Sequence, residues 1–373
     1  MNPVHGVICL RDKDLNAKKC SAELSAKTGV KLSVKSFIPL VFAALLVIGA
    51  AVSAGCTTTP PQNEGITVMQ SDGSTVNLPH TAERIVILSS NAGEMLQILG
   101  AADKVVGASQ SVIDNEYIGP MFPNAVSTGK WNVPDLETII TLSPDVVIGY
   151  SSSKPNNADA IKAANIPIVY IDCYKPTTMT QDVRELGKLV GNTADAEAFC
   201  EYYDSVMGSL SSRIANTTAE HPRVFCEGYT DYSAQGKGSG MDLLLDIVDG
   251  VNIIEETDTS SATKVSPEWL IDQDPEVYIK VATHEKMGNA EGIWNDVISR
   301  TGFSGMQSVK NGRLWLIDSG ITYGPRCFAG AASFAKMLYP DEFKDLSVEE
   351  MLRGYNEKYS LNLPVENTVY PKF

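Results

Sequence analysis

Two stretches of this chain repeat each other at a constant distance. Glu137-x-x-Ile140-x-x-x-Pro144-Asp145-Val146-x-Ile148 is matched by Glu268-x-x-Ile271-x-x-x-Pro275-Glu276-Val277-x-Ile279, offset by 131 residues throughout. In each copy a short run with helical spacing ends at a proline. An apolar run too short for a helix follows, and it reads as a buried strand. Two more landmarks recur in the same order. One is an Arg-led strand (Arg84-Ile85-Val86 and Arg223-Val224-Phe225), the other a strand closing on Ile-Asp (Ile171-Asp172 and Ile317-Asp318). A repeat this long is a whole folding unit, so the chain is predicted to build two related lobes.

Each lobe reads as α/β. In the first, Arg84 to Asn91 is a buried strand ending in polar residues. Asn91 and Glu94 then stand at capping-box spacing before Met95-Leu96 and Ile98-Leu99, and Gly100 stops the predicted helix. Asp135–Leu142 is predicted helical, with strands at 145–150 and 166–172. Strands alternating with helices imply a central, mostly parallel sheet covered on both faces. Ile66–Met69 and Thr75–Leu78 flank Asp72-Gly73 as a small hairpin.

Between the halves, Phe199, Tyr203, Val206, Leu210 and Ile214 make one apolar helix face. The stretch from Asn192 or Thr193 to His221-Pro222 allows roughly 24 helical residues, about 36 Å. An ordinary surface helix would show the same pattern; its length and position favour a strut that carries the chain between lobes once. A lone stiff crossover predicts limited closure. The expected organisation is a leader over 1–55, a tether over 56–65, an N-terminal lobe over 66–190, the linking helix over 191–220 and a C-terminal lobe over 221–373.

The leader has its own chemistry. Lys27, Lys31 and Lys35 precede the apolar run Phe37–Ala54, as in a secretory signal. Ser53-Ala54-Gly55-Cys56 resembles a lipoprotein signal peptidase site, with Ser53 where leucine is usual, and it predicts lipidation at Cys56. An uncleaved anchor is the alternative, since 18 apolar residues can just span a bilayer. Both readings place the globular part outside the membrane. That part is acidic: the whole chain carries −15, and residues 1–55 are net basic. Such acidity excludes an electrostatic nucleic-acid binder. Cys173, Cys200, Cys226 and Cys327 form no CxxC pair, so zinc and thioredoxin readings lack support, and disulfides or free buried thiols both stay open.

The motif set resembles the extracytoplasmic solute-binding proteins of ABC importers for iron chelates and corrinoids, a group with two lobes and one linking helix. The landmarks are Arg84-Ile-Val with Asn91-x-x-Glu94, Leu142-x-Pro-Asp-Val-Val, Val265-Ser-Pro-Glu268 before Asp274-Pro-Glu, Val309-Lys-Asn-Gly-Arg-Leu-Trp-Leu-Ile-Asp318, and Gly324-Pro-Arg326. The resemblance covers residues 75 to 360 or so. The resemblance implies an α/β fold of the class III periplasmic-binding-protein type and no enzymatic activity. It also implies a monomer that binds a small-molecule chelate, needs no cofactor of its own and docks on a permease dimer with its ATPase subunits. It further implies that Glu137 and Glu268, one per lobe, pair with arginines of the two permease subunits. A carboxylate favoured by the dipole at a helix start is the plainer explanation, worth about 0.3–1 kcal/mol.

The ligand is expected between the lobes, beyond the C-terminal ends of the strands. Aromatic residues cluster there: Trp131 in Thr128-Gly-Lys-Trp-Asn132, Tyr150, Tyr174, Tyr229, Tyr232 and Tyr323, with Arg326 close by. Flat π-faces suit a macrocycle or aromatic chelate, and Arg326 suits a carboxylate or phosphate; core packing or loop shaping would use the same residues. By resemblance, Trp131 and the Tyr229–Tyr232 stretch are the leading ligand contacts. A bare-metal site is disfavoured, because His80, His221 and His284 are far apart in sequence. The Gly-rich Gly236-Lys-Gly-Ser-Gly240 lacks a nucleotide-binding pattern, and Ser239 with Asp242 has the spacing of a helix start. An extracellular enzyme on the same scaffold, or a sensor's binding lobe, are the alternatives; no Gly-x-Ser-x-Gly or Ser/His/Asp set supports the former. Corrinoids, haem, siderophores and oxyanions such as molybdate all remain candidate ligands.

Overall fold

The structure, a computed structural model, describes residues 65–373 apart from 219 and 256–262. The leader, Cys56 and all of the tether except Gly65 lie outside the described residues. Two sheets organise the rest. The first has five parallel strands in the spatial order Val126–Ser127, Val105–Ala108, Ile85–Ile87, Val146–Gly149, Ile168–Tyr170. The second is built on four parallel strands in the order Val251–Asn252, Arg223–Glu227, Val277–Ala282, Leu314–Asp318. Antiparallel strands Ser233–Ala234, Thr263–Lys264 and Val369–Tyr370 extend it at its edges. The hairpin Ile66–Met69/Thr75–Leu78 forms as expected.

The sequence repeat is also a repeat of hydrogen bonds. Helix Leu136–Leu142 begins at Asp135 and ends at Ser143, which adopts φ 47°. Helix Pro267–Gln273 begins at Ser266 and ends at Asp274, φ 42°. The Arg84 guanidinium donates to the Leu142 carbonyl at 2.6 Å, and that of Arg223 to Gln273 at 2.8 Å. These arginines satisfy carbonyls that a helix C-terminus leaves without partners. The acid after each proline closes the motif: Asp145 accepts from the Arg84 N–H at 2.8 Å, and Glu276 from that of Arg223 at 3.1 Å. Each residue of the second set lies 131 beyond its counterpart, apart from the arginines. The Arg-led strand and the Pro-acid-Val strand therefore lie side by side in both lobes.

Between the two sheets in the chain come helix Met179–Val190 and then the long helix Thr193–Ile214, the predicted linker. Its predicted face is the buried one: Phe199, Tyr203, Leu210 and Ile214 are all buried, with Val206 packed against the same core. Asn192 does not cap it; its side-chain amide donates to the Leu99 carbonyl instead. The C-terminal helix Val348–Tyr359 lays Tyr355 and Tyr359 against Tyr202 of the linking helix, ring centroids 6.3 and 5.9 Å apart. A single apolar cluster runs from Ile85 and Met95 in the first lobe through this helix to Phe328 and Phe334 in the second. Close-packed interiors resist shear, so the lobes are braced by a shared core as well as by the rod.

The first helix differs from expectation in one respect. It spans Ser90–Ile98, and its cap is Ser89, whose hydroxyl accepts from the Ala92 N–H. Asn91 and Glu94 do not make a capping box. Both side chains cross to the other lobe, Asn91 donating to the Tyr323 carbonyl at 3.0 Å and Glu94 accepting from the Tyr355 hydroxyl at 2.8 Å. All four cysteines after residue 64 are buried free thiols.

Candidate functional site

The strand ends of the two lobes face each other across a cavity of about 410 Å³, within the usual range for small-molecule sites. From the first lobe come Ser90 and Asn91, just past Ile85–Ile87, and Tyr150, just past Val146–Gly149. Tyr117 joins them from a loop. From the second lobe come Tyr229 after Arg223–Glu227, His284 after Val277–Ala282, and Tyr323 and Arg326 after Leu314–Asp318. Parallel strands all point their C-terminal ends one way, so each lobe offers its loops to the same gap.

One wall is a chain of rings. Tyr150 meets Tyr174 edge-on at 6.4 Å, Tyr174 meets Tyr323 at 6.4 Å, and Tyr323 meets Tyr229 at 6.1 Å. The Tyr323 phenol donates to the Gln235 side chain at 2.8 Å, while the Tyr150 phenol lies near Ser89 and Ser90 and that of Tyr229 near Ser319. Burial pushes the Tyr150 phenol up to about 12 and raises those of Tyr229 and Tyr323. These tyrosines therefore present neutral aromatic surface rather than phenolate oxygens.

Charge gathers at the floor. Arg326 lies 3.6 Å from the fully buried Glu94 carboxylate and donates through Nη1 to the Pro364 carbonyl at 3.2 Å. Its Nε is buried with no hydrogen-bond partner. Burial raises the Glu94 carboxyl; the Arg326 charge and the Tyr355 hydroxyl partly offset that. Arg326 thus shapes the Pro364 loop and turns its Nε towards the Glu94 carboxylate, while its side chain borders the cavity. Space there depends on Gly320, where a Cβ would come within 2.9 Å of the Arg326 Nη2.

His284 was not singled out by sequence. Its Nδ1 lies 2.6 Å from a carboxylate oxygen of the buried Asp318, whose other oxygen accepts from the Gly320 N–H at 2.8 Å. The edge of Tyr117, from the opposite lobe, packs on the imidazole at 5.2 Å. The partner Asp318 is 34 residues away in the chain, so only the fold unites the pair. The available signal was position: His284 follows its strand end as Tyr150 follows Val146–Gly149.

The remaining expected residues lie elsewhere. Tyr174 backs the aromatic wall. Trp131 occupies the tip of the hairpin Gly129–Lys130/Val133–Pro134, 36% exposed, and is not among the residues lining this cavity. Tyr232, also outside the lining, packs on Phe303 beneath the Arg300 guanidinium, 4.7 Å from its ring. That guanidinium and Lys280 together neutralise the buried Glu227. Glu137 and Glu268 are both exposed in the first turns of their equivalent helices. Those helices run back against the strands that follow them, so both glutamates stand at the cavity end of their lobes.

Among the described residues no helix is long and apolar enough to cross a membrane. The chain is 24% identical over 322 residues to an uncharacterised ABC transporter substrate-binding lipoprotein of Bacillus subtilis, covering 81% of this chain and 98% of that one. It is also 24% identical over 270 residues to a cobalamin-binding protein of Halobacterium salinarum, covering 67% and 70%. The molybdate-bound structure of a Haemophilus influenzae molybdate-binding protein superposes with a TM-score of 0.67 at 17% identity, over 80% of this chain and 99% of that one. Residues 85–320 match the model of the periplasmic binding protein family, and with them the braced bilobal fold and its inter-lobe cavity; the chain belongs to this family, the substrate-binding components of ABC transporters.

Proposed function

We propose that this protein captures a metal chelate, such as a ferric siderophore or haem, or a corrinoid between its lobes and delivers it to an ABC permease. The observation that carries this reading is the tyrosine-walled cavity at the facing strand ends, with a buried arginine at its floor. Aromatic faces stack on extended planar ligands, and a desolvated guanidinium pairs strongly with a carboxylate or phosphate. The cobalamin-binding name of a relative supports the corrinoid arm. The Arg326 guanidinium bordering the cavity equally suits a compact oxyanion, as the molybdate-bound relative suggests. In this reading Glu137 and Glu268 dock on the two permease subunits, and Cys56 carries the lipid that holds the protein at the outer face.

The test is native mass spectrometry, with absorbance spectra, of protein purified from its own host. Gly320→Leu fills the floor beside Arg326 and is expected to lower retention of the co-purified molecule at least about tenfold. Unchanged retention would place the ligand elsewhere.

A further inference from the structure

We propose that Glu94 sets the charge this cleft accepts: an acidic group of the guest that pairs with Arg326 enters together with a proton, which Glu94 takes up. The inference rests on the cavity reading above and specifies how that site handles charge. Glu94 stands on helix Ser90–Ile98 of the first lobe, Arg326 at the start of helix Cys327–Leu338 of the second, and both line the cavity. Their charged groups meet at 3.6 Å across the lobes, and both residues are buried. Arg326 has no other acidic partner among the described residues. A guanidinium does not give up its proton, and a buried one without a counter-ion is costly. Glu94 is therefore ionised before a guest arrives, and it also accepts from the Tyr355 hydroxyl at 2.8 Å.

A guest changes that balance. Arg326 commits Nη1 to the Pro364 carbonyl and turns Nε to Glu94, while Nη2, beside Gly320, makes no hydrogen bond to the described residues. A carboxylate, phosphate or compact oxyanion takes that corner of the fork. Two anions then share one cation in a site withdrawn from water, and like charges so placed do not both stay ionised. Burial already raises the Glu94 carboxyl, and the Arg326 charge is the main influence opposing it, so pairing Arg326 with a guest lets burial prevail. The proton comes from solvent and binds a Glu94 carboxylate oxygen; no other covalent bond changes. The other groups facing Glu94 do not take its place. Burial raises the Tyr355 phenol and the Cys173 thiol well above their ordinary values and pushes the Cys327 thiol up to about 12, so all three stay neutral. His284, held by Asp318, and Glu285 border the same cavity from the strand end of the second lobe. A guest that offers only amides or hydroxyls leaves the Glu94–Arg326 pair intact and takes up no proton.

Isothermal titration of molybdate and of hemin, each in buffers of low and high ionisation heat, counts the protons taken up on binding. Molybdate tests a free oxyanion, and hemin tests carboxylates on a macrocycle. Dicyanocobinamide, whose rim carries amides, is the neutral comparison. With at least one of the two anions, the wild-type protein is expected to take up about one proton per guest at about pH 7, and with dicyanocobinamide none. Affinity for that anion should fall about tenfold per pH unit above this point, because binding raises the Glu94 carboxyl and higher pH removes its proton. Glu94→Gln keeps the shape and the acceptor for Tyr355 without the charge. It should abolish the uptake, flatten the pH dependence and bind the same anion about tenfold or more tighter than wild type at about pH 8. No uptake in the wild type, equal uptake with dicyanocobinamide, or uptake that survives Glu94→Gln would overturn the assignment; the first two results need no variant to fold. If neither anion binds, the pairing of Arg326 with an acidic group falls and this inference with it. A host-purified guest lost in Gly320→Leu would still keep the cleft function.

Discussion

Replacing Asp182 with asparagine is expected to flatten part of the protein's stability profile in mild acid. Asp182 lies in helix Met179–Val190 with its carboxylate buried; it accepts from the Ser71 hydroxyl at 2.7 Å and the Cys173 N–H at 2.9 Å. Burial is the largest influence and pushes the carboxyl from its ordinary 3.8 up to about 6, with nearby Asp172 adding to the rise and the two hydrogen bonds and Lys175 opposing it. The folded state therefore holds this proton more tightly than the unfolded chain. Its contribution to stability is greatest below the unfolded value and falls as pH rises towards 6, after which it stays flat. A rise of about two units, at 1.36 kcal/mol each, makes the full penalty above pH 6 about 3 kcal/mol. Between pH 4 and pH 7 the wild type should lose about 2 kcal/mol relative to Asp182→Asn. Urea unfolding of both proteins at several pH values in this window measures that difference directly, since the other carboxylates cancel. The altered hydrogen bonds of the asparagine shift the comparison by a constant and leave its slope alone. A difference that stays within about 0.5 kcal/mol across the window would refute the reasoning.

Two other predictions follow from the lobes. Glu137→Ala combined with Glu268→Ala should abolish uptake in cells while ligand affinity stays within about twofold, because both side chains are exposed and neither lines the cavity; normal uptake by the double variant would exclude docking through these residues. Solution scattering with and without ligand should show only a small change in radius of gyration, because the core is continuous across the lobes; a large contraction on binding would mean that the brace yields.

Much of the framework was legible in the chain. The 131-residue offset maps onto equivalent caps, arginine clamps and strands because local hydrogen-bond needs recur wherever the same helix-to-strand turn recurs. Strand ends were legible too, so Tyr150, Tyr229, Tyr323 and Arg326 could be placed at the cavity. Long-range partners were not. Asn91 and Glu94 have the spacing of a cap, but their bonding partners lie 81 to 261 residues away, and those partners determine their orientation. His284 gains its meaning from Asp318 and Tyr117, neither of which is near it in sequence. Trp131 follows a reading by analogy rather than by geometry; its hairpin carries it to an exposed tip.

The matched helix starts at Glu137 and Glu268 have a further consequence. Were docking to run through these two residues, as proposed, a receptor made of two identical halves would meet the same handle on either side of this protein, and a landing rotated by half a turn would present almost the same grip. The mouth of the cavity lies between those handles and stays over the receptor's centre in both poses. Productive encounters would then need not discriminate front from back, and unrepeated features such as the antiparallel edges of the second sheet would bias one orientation over the other.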